Sequence, residues 1–139
     1  MAAGWDAYIQ NLMANEDSHD AAIVGIEPFS VWASHAGGNL SGVQAKQIDA
    51  LMSSDVSSLY TNGVTLGSKK YTVIRHALQD SGFVDLKVKS ANEEEKRALA
   101  VARTKQALIL LEGSHVQGSC SRVNIKASQL AEYLKSSHY

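Results

Sequence analysis

An amphipathic stripe near each end of the chain, with strand-like segments following one another between them, most narrows the folds open to this sequence. Trp5, Tyr8, Ile9, Leu12 and Met13 recur at helical spacing and share one face. Ile125, Ala127, Leu130, Ala131 and Leu134 predict a second amphipathic helix over about 124–137. Between them, 21–26 and 29–35 read as paired strands, with Glu27-Pro28 in the turn. Ile48, Leu51 and Met52 place a short helix at 45–53. Asn62-Gly63 stands between Tyr60-Thr61 and Val64-Thr65, a hairpin signal. Residues 71–75, 83–89, 98–104 and 107–112 read as further strands. The segment 83–89 alternates, with Leu86 and Val88 on one side and Asp85, Lys87 and Lys89 on the other, as in a half-exposed strand with a charged outer face. The order helix, two strands, short helix, about five strands, helix is not a βαβα alternation, which argues against a doubly wound parallel sheet. It predicts an α+β domain, an antiparallel sheet with a helix at each end.

The 139 residues suit one domain, 1–139, and 45% apolar with 19% charged residues exclude a disordered chain or a coiled-coil rod. A single cysteine, Cys120, rules out an intrachain disulfide framework. The longest strongly apolar run, Ala107 to Leu111, is too short to span a bilayer as a helix. Asp6, Glu16 and Asp17 near the start do not fit a secretory signal, so the chain is read as mature and cytosolic. A net charge of -1 speaks against nucleic acid as a partner. The charge is unevenly spread, however. Residues 1–68 hold one base, Lys46, against seven acids, whereas 69–105 hold nine bases against five acids. The middle segment offers a basic face to an acidic partner, or simply solvated strand and turn residues.

Nothing in the sequence assembles into a catalytic or metal centre, and no cofactor is expected. His19, His35, His76, His115 and His138 are scattered, without metal-ligand spacing. His115 lies near Cys120, but a thiol nucleophile needs a base oriented by a third group, and no local signature supplies one. The glycines of 63–69 lack phosphate-loop spacing and read as turn glycines. Glu93-Glu94-Glu95 reads as a solvated turn. A non-enzymatic protein is expected.

Aromatics make up 6% of the chain, yet five of them could converge. Trp5 and Tyr8 share a helix face, Trp32 lies on an early strand, and Tyr133 and Tyr139 lie near or at the chain end. If the terminal helices lie side by side, these rings form a shallow trough. Such a trough suits a polyproline II ligand, whose rings stack on aromatics and whose carbonyls accept hydrogen bonds. The alternative is that Trp5, Tyr8 and Trp32 are ordinary core.

Gly4-Trp5-Asp6-Ala7-Tyr8-Ile9, Asn11-Leu12-Met13-Ala14, Asp20 to Gly25, Ser30-Val31-Trp32-Ala33, Asn62 to Gly67 and Val73-Ile74-Arg75, taken together, resemble the animal profilins. The resemblance runs in order along nearly the full length, and beyond residue 90 it rests on pattern. It implies a central antiparallel sheet with both terminal helices on one face and short helices on the other. It also implies a non-enzymatic, monomeric protein of the cytoplasm, cytoskeleton and cell cortex that binds monomeric actin, proline-rich segments and phosphoinositides. Carried over, Trp5, Tyr8, Trp32, Tyr133 and Tyr139 would take polyproline, and Lys70, Val73, Arg75, Lys87, Lys89, Gln117 and Asn124 would take actin. Lys69, Lys70, Arg75, Lys87, Lys89, Lys126 and Lys135 would take phosphoinositide, and Ser137 matches a site of phosphorylation. Tyr133 stands where many relatives have His. Gln117, Ile125, Ala98 and Ala100 depart from common residues of the actin surface, so weakened actin binding is expected. The second reading is a signalling adaptor for proline-rich or phosphoinositide ligands with little actin activity.

Overall fold

Side chains alternate across each strand, and here the alternation builds two cores on the two faces of one sheet. The computed structural model describes residues 3–14, 18–26, 29–35, 38–52, 55–77, 82–89, 97–113 and 119–137. The strands are β1 (Ser18–Gly25), β2 (Ser30–Ser34), β3 (Val64–Leu66), β4 (Lys69–Ala77), β5 (Phe83–Val88), β6 (Ala98–Arg103) and β7 (Ala107–Gly113). Every neighbouring pair is antiparallel, in the order β2-β1-β7-β6-β5-β4-β3. The helices are α1 (Ala3–Met13), α2 (Ala45–Leu51), α3 (Val56–Asn62) and α4 (Ser119–Ser136), with a 3₁₀ turn at Asn39–Gly42.

One face carries Val64, Leu66, Tyr71, Val73, Val84, Leu86, Leu99, Val101, Leu108 and Leu110 against Leu40, Ile48, Leu51 and Leu59 of the short helices. The other carries Ala21, Ile23, Ala98, Ala100, Ala102, Ile109 and Leu111 against Ile9 and Leu12 of α1 and Val123, Ala127, Ala131 and Leu134 of α4. Both terminal helices therefore share a face, as the resemblance implies. Ala98 and Ala100, taken above as altered surface positions, are 6% and 1% exposed. They belong to an alanine seam with Ala102, Ala127 and Ala131, where small side chains let α4 lie close to the sheet.

The Asn62-Gly63 hairpin expected from sequence is instead a helix end. Residues 56–62 are helical, and Asp55 starts the helix by accepting a hydrogen bond from the Ser58 N–H (3.2 Å). Gly63 adopts φ 74° and its N–H donates to Leu59 O (2.8 Å), a left-handed stop that glycine makes without a Cβ penalty. The hairpin follows, β3 turning into β4 through Gly67 and Ser68. α4 begins five residues earlier than the periodicity indicates.

Buried polar groups tie the ends of the sheet together. Asp20 Oδ2 on β1 accepts from Leu40 N (2.9 Å), and Asn39 Nδ2 donates to Leu66 O (2.9 Å), so the 3₁₀ turn bridges β1 to β3. Gln47 of α2 accepts from Gly67 N and donates to Gly67 O. Tyr71 OH donates to Glu112 Oε1 across 2.6 Å, both residues fully buried. Burial and the Glu112 carboxylate push the Tyr71 phenol far above its ordinary value. Lys69 Nζ (3.7 Å) and His19 Nε2 (3.9 Å) approach Glu112 Oε2, which accepts no hydrogen bond among the described residues.

Candidate functional site

The helical stripe of α1 fixes Trp5 and Tyr8 three residues apart, with rings 5.5 Å apart at 53°. Trp32 on β2 brings its indole 4.7 Å from Trp5, and Tyr133 on α4 brings its ring 6.1 Å from Tyr8. Four rings from three elements thus form one chain, Trp32–Trp5–Tyr8–Tyr133. Trp5, Tyr8 and Trp32 are half-buried, resting on the apolar cluster under the helices, and Tyr133 is 55% exposed. The alternative of an ordinary core does not describe these rings. They pack against the cluster yet keep part of their surface exposed. Tyr139 lies outside the described residues.

Sequence reasoning missed what seats Trp32. A Cβ on Gly25 would fall 2.5 Å from Trp32 Nε1 and 2.9 Å from Cε2. The indole lies flush on the β1 backbone only because residue 25 has no side chain. The cue in the sequence was a glycine ending a strand beside a tryptophan strand, which is too common to decide anything.

A second surface lies at the other end of the same sheet face. α1 packs on β1 and β2, while α4 packs on β6 and β7 and reaches β5 more slightly. The helix-side residues of β3, β4 and the outer part of β5 are left uncovered. Thr65, Lys70, Thr72, Arg75, Lys87 and Lys89 are exposed there. Ile74, in the bulge between Val73 and Arg75, is 52% exposed. Arg75 lies over the Phe83 ring, 4.5 Å from its centroid. Val73, expected above to meet actin, is corrected by its burial: at 4% exposure it belongs to the opposite core, and Ile74 is the apolar side chain presented outward.

Asp85 is likewise not a solvated outer residue. It is half-buried beside α4, where Asn124 Nδ2 donates to its Oδ1 at 2.6 Å. Burial raises the Asp85 pKa above the ordinary carboxylate value, against the opposing effects of the Asn124 hydrogen bond and the Arg75 charge. This contact joins the N-terminal half of α4 to the open strand face.

The cations expected to meet phosphoinositide do not form one cluster. Lys70, Arg75, Lys87 and Lys89 share the open strand region, Lys69 turns toward buried Glu112, and Lys135 pairs with Glu132 at 3.8 Å. Lys126 lies on α4 facing α1. Gln117 and His115 lie outside the described residues, as does the Cys120 side chain. Among the described residues, no group of three or more metal-ligating side chains converges, and no helix is long and apolar enough to cross a membrane.

The profilin family model matches residues 3–139. Human profilin-1 is 40% identical over 141 residues, covering 99% of this chain and 99% of its own, and bovine profilin-2 is 37% identical over 143 residues with the same coverage. Among solved structures, rat profilin 2a superposes with a TM-score of 0.91 at 36% identity, covering 100% of this chain and 99% of that one. Mouse profilin IIa, solved in complex with a double repeat from the FH1 domain of mDia1, gives 0.90 at 36% identity, covering 99% and 100%. With a helix pair on one face of the antiparallel sheet, short helices on the other, and this extent of matching sequence, the chain belongs to the profilin family.

Proposed function

We propose that this protein binds actin monomers on the open strand face and proline-rich segments on the aromatic seam, so that it carries actin to proline-rich regulators of filament growth. The observation that carries this reading is the separation of the two surfaces. The rings lie where α1 meets α4 and β2, and Ile74 with its cations lies on the far strands, which α4 meets only at β5. A protein that joins two partners needs them on surfaces that do not overlap. Family membership supports the actin role, and the relative solved with an FH1 double repeat supports the proline-rich one.

On the seam, Trp5, Tyr8, Trp32 and Tyr133 take the proline rings, and the resemblance gives Tyr139, outside the described residues, the same role. A polyproline II helix is already extended, so little ligand entropy is lost on docking. On the strand face, Lys70, Arg75, Lys87 and Lys89 meet acidic groups of actin around the apolar contact of Ile74, with Asn124 at the edge, and the resemblance gives Gln117, outside the described residues, a part in the same contact. Complementary charge there speeds encounter. The same cations attract phosphoinositide headgroups in the cytoplasmic leaflet at the cell cortex, so lipid and actin compete for them and added salt weakens the lipid contact.

Sedimentation of actin filaments with rising amounts of the protein, with and without a proline decamer, tests the proposal. The expected result is less pelleted actin at saturation, with the decamer still bound to the protein–actin complex. Decamer binding without any effect on polymerisation overturns the carrier role and is the behaviour of the adaptor reading.

A further inference from the structure

Asp85 stands where the cover of α4 ends. Its neighbour on β6 is Ala100, 1% exposed and packed among α4 residues, and its neighbour on β4 is Arg75, exposed on the open strands. Side chains alternate along β5, so Asp85 faces the same side as Phe83 and Lys87. From α4, Asn124 Nδ2 donates to Asp85 Oδ1 at 2.6 Å, the short contact of a charged acceptor. An ionised carboxylate only accepts, so the amide nitrogen of Asn124 must face it. The amide oxygen is then turned along the helix, 3.5 Å from Ser128 Oγ one turn on. On the other flank the Arg75 guanidinium lies over Phe83, 4.5 Å from the ring centroid, close enough for its charge to act on Asp85.

We infer that Asp85 is a positioning residue of the actin-binding face: its carboxylate fixes the Asn124 amide of α4 and steadies the Arg75 guanidinium of β4, so that helix and strand present one preset surface to monomeric actin. This role presumes the actin-binding reading of the strand face. Two observations favour it over a role in the fold alone. Burial raises the Asp85 pKa despite the Asn124 hydrogen bond and the Arg75 charge, so an ionised Asp85 near neutral pH costs the folded state stability. A charge that weakens the fold yet ties two side chains together fits stability given up for function. Those two side chains also come from different elements and flank the same open surface, where each would otherwise have to be ordered as the partner docks.

The test compares Asp85→Ala, Asp85→Asn, Asn124→Ala and the double Asp85→Ala/Asn124→Ala variant in the full chain at pH 7. Asp85→Ala is expected to melt at or above the parent temperature and to bind the proline decamer unchanged, while its affinity for monomeric actin falls about five- to thirtyfold. Asp85→Asn keeps an acceptor for Asn124 and is expected to restore actin affinity to within about threefold of the parent. Asn124→Ala is expected to cost less actin affinity in the Asp85→Ala background than in the parent, because there the amide is no longer held. In the unliganded ¹⁵N-labelled protein, one side-chain amide proton of Asn124 should lie downfield in the parent and move upfield in Asp85→Ala. Parent-like actin affinity in Asp85→Ala, equal costs of Asn124→Ala in the two backgrounds, or an unmoved Asn124 amide overturns the positioning role. So does a loss of actin affinity that comes with a lowered melting temperature and lost decamer binding, since Asp85 then serves the fold. Failure of the parent to bind actin is a different result, and it removes the actin-binding reading itself.

Discussion

Gly25→Ala isolates the seating of the trough from its stacking rings. The added Cβ would stand 2.5 Å from Trp32 Nε1, 2.9 Å from Cε2 and 3.1 Å from Cζ2. Ordinary contact between such atoms is about 3.5–4.0 Å, so the indole must retreat by roughly 1 Å. The indole is partly exposed, so it can shift without being driven into the core. The cost to the fold is therefore small, about 1 kcal/mol of overpacking set against a few tenths gained from a less flexible unfolded chain. Binding suffers more. Trp32 sits 4.7 Å from Trp5, and a lifted indole breaks the shallow floor on which a proline ring rests. Displacing one aromatic anchor is expected to cost about 1–2 kcal/mol, a roughly five- to thirtyfold loss of proline-decamer affinity. Calorimetry gives the affinity and a urea melt gives the stability. A variant that stays folded and binds the decamer as tightly as the parent refutes the reasoning, since Trp32 then does not need to lie flush on β1.

Other expectations follow from the same contacts. Tyr71→Phe leaves Glu112 Oε1 without its 2.6 Å donor in a fully buried setting and is expected to lower stability by about 1–3 kcal/mol in urea while decamer affinity holds. Asp85 has a folded pKa above its unfolded value, so its native state holds a proton more firmly and stability is lost as pH rises from about 3.8 through the folded pKa. Asp85→Asn keeps an acceptor for Asn124 and removes that titration, so thermal melts should show a larger relative gain at pH 7 than at pH 3. An equal difference at both contradicts it. Ile74→Asp places a charge at the exposed centre of the strand face and is expected to abolish the effect on actin sedimentation without moving decamer affinity.

Much of this architecture is legible in the sequence because it is written in periodicity. The stripes of α1 and α4 and the alternation of Val84, Leu86 and Val88 read directly as buried faces. α3 is not legible, because Ser57, Ser58, Tyr60 and Thr61 are indifferent helix formers and the Asn-Gly that ends the helix is also a hairpin signal. The inward side of β4 is ambiguous for another reason. Tyr71 and Val73 point to one core while the apolar Ile74 points to solvent, and a bulge at Ile74 breaks the parity. Trp5 and Tyr8 were visible as a pair, but their meeting with Trp32 and Tyr133 is tertiary. It depends on β2 lying at the sheet edge beside α1, on the antiparallel approach of α4, and on a missing side chain at Gly25. The Tyr71–Glu112 contact joins residues 41 apart and leaves no local trace, since Glu112 reads only as the end of an apolar run.

The claim at the centre is that the rings of the terminal-helix seam receive the proline-rich ligand. Trp5 and Trp32 are the two tryptophans of the chain, so their indole N–H signals in a ¹⁵N-labelled sample report on the seam alone. On titration with a proline decamer both signals should shift and saturate together, while the amides of Thr72, Ile74 and Lys87 stay in place. Saturable binding that moves the strand-face amides and leaves both indoles unchanged would contradict the account.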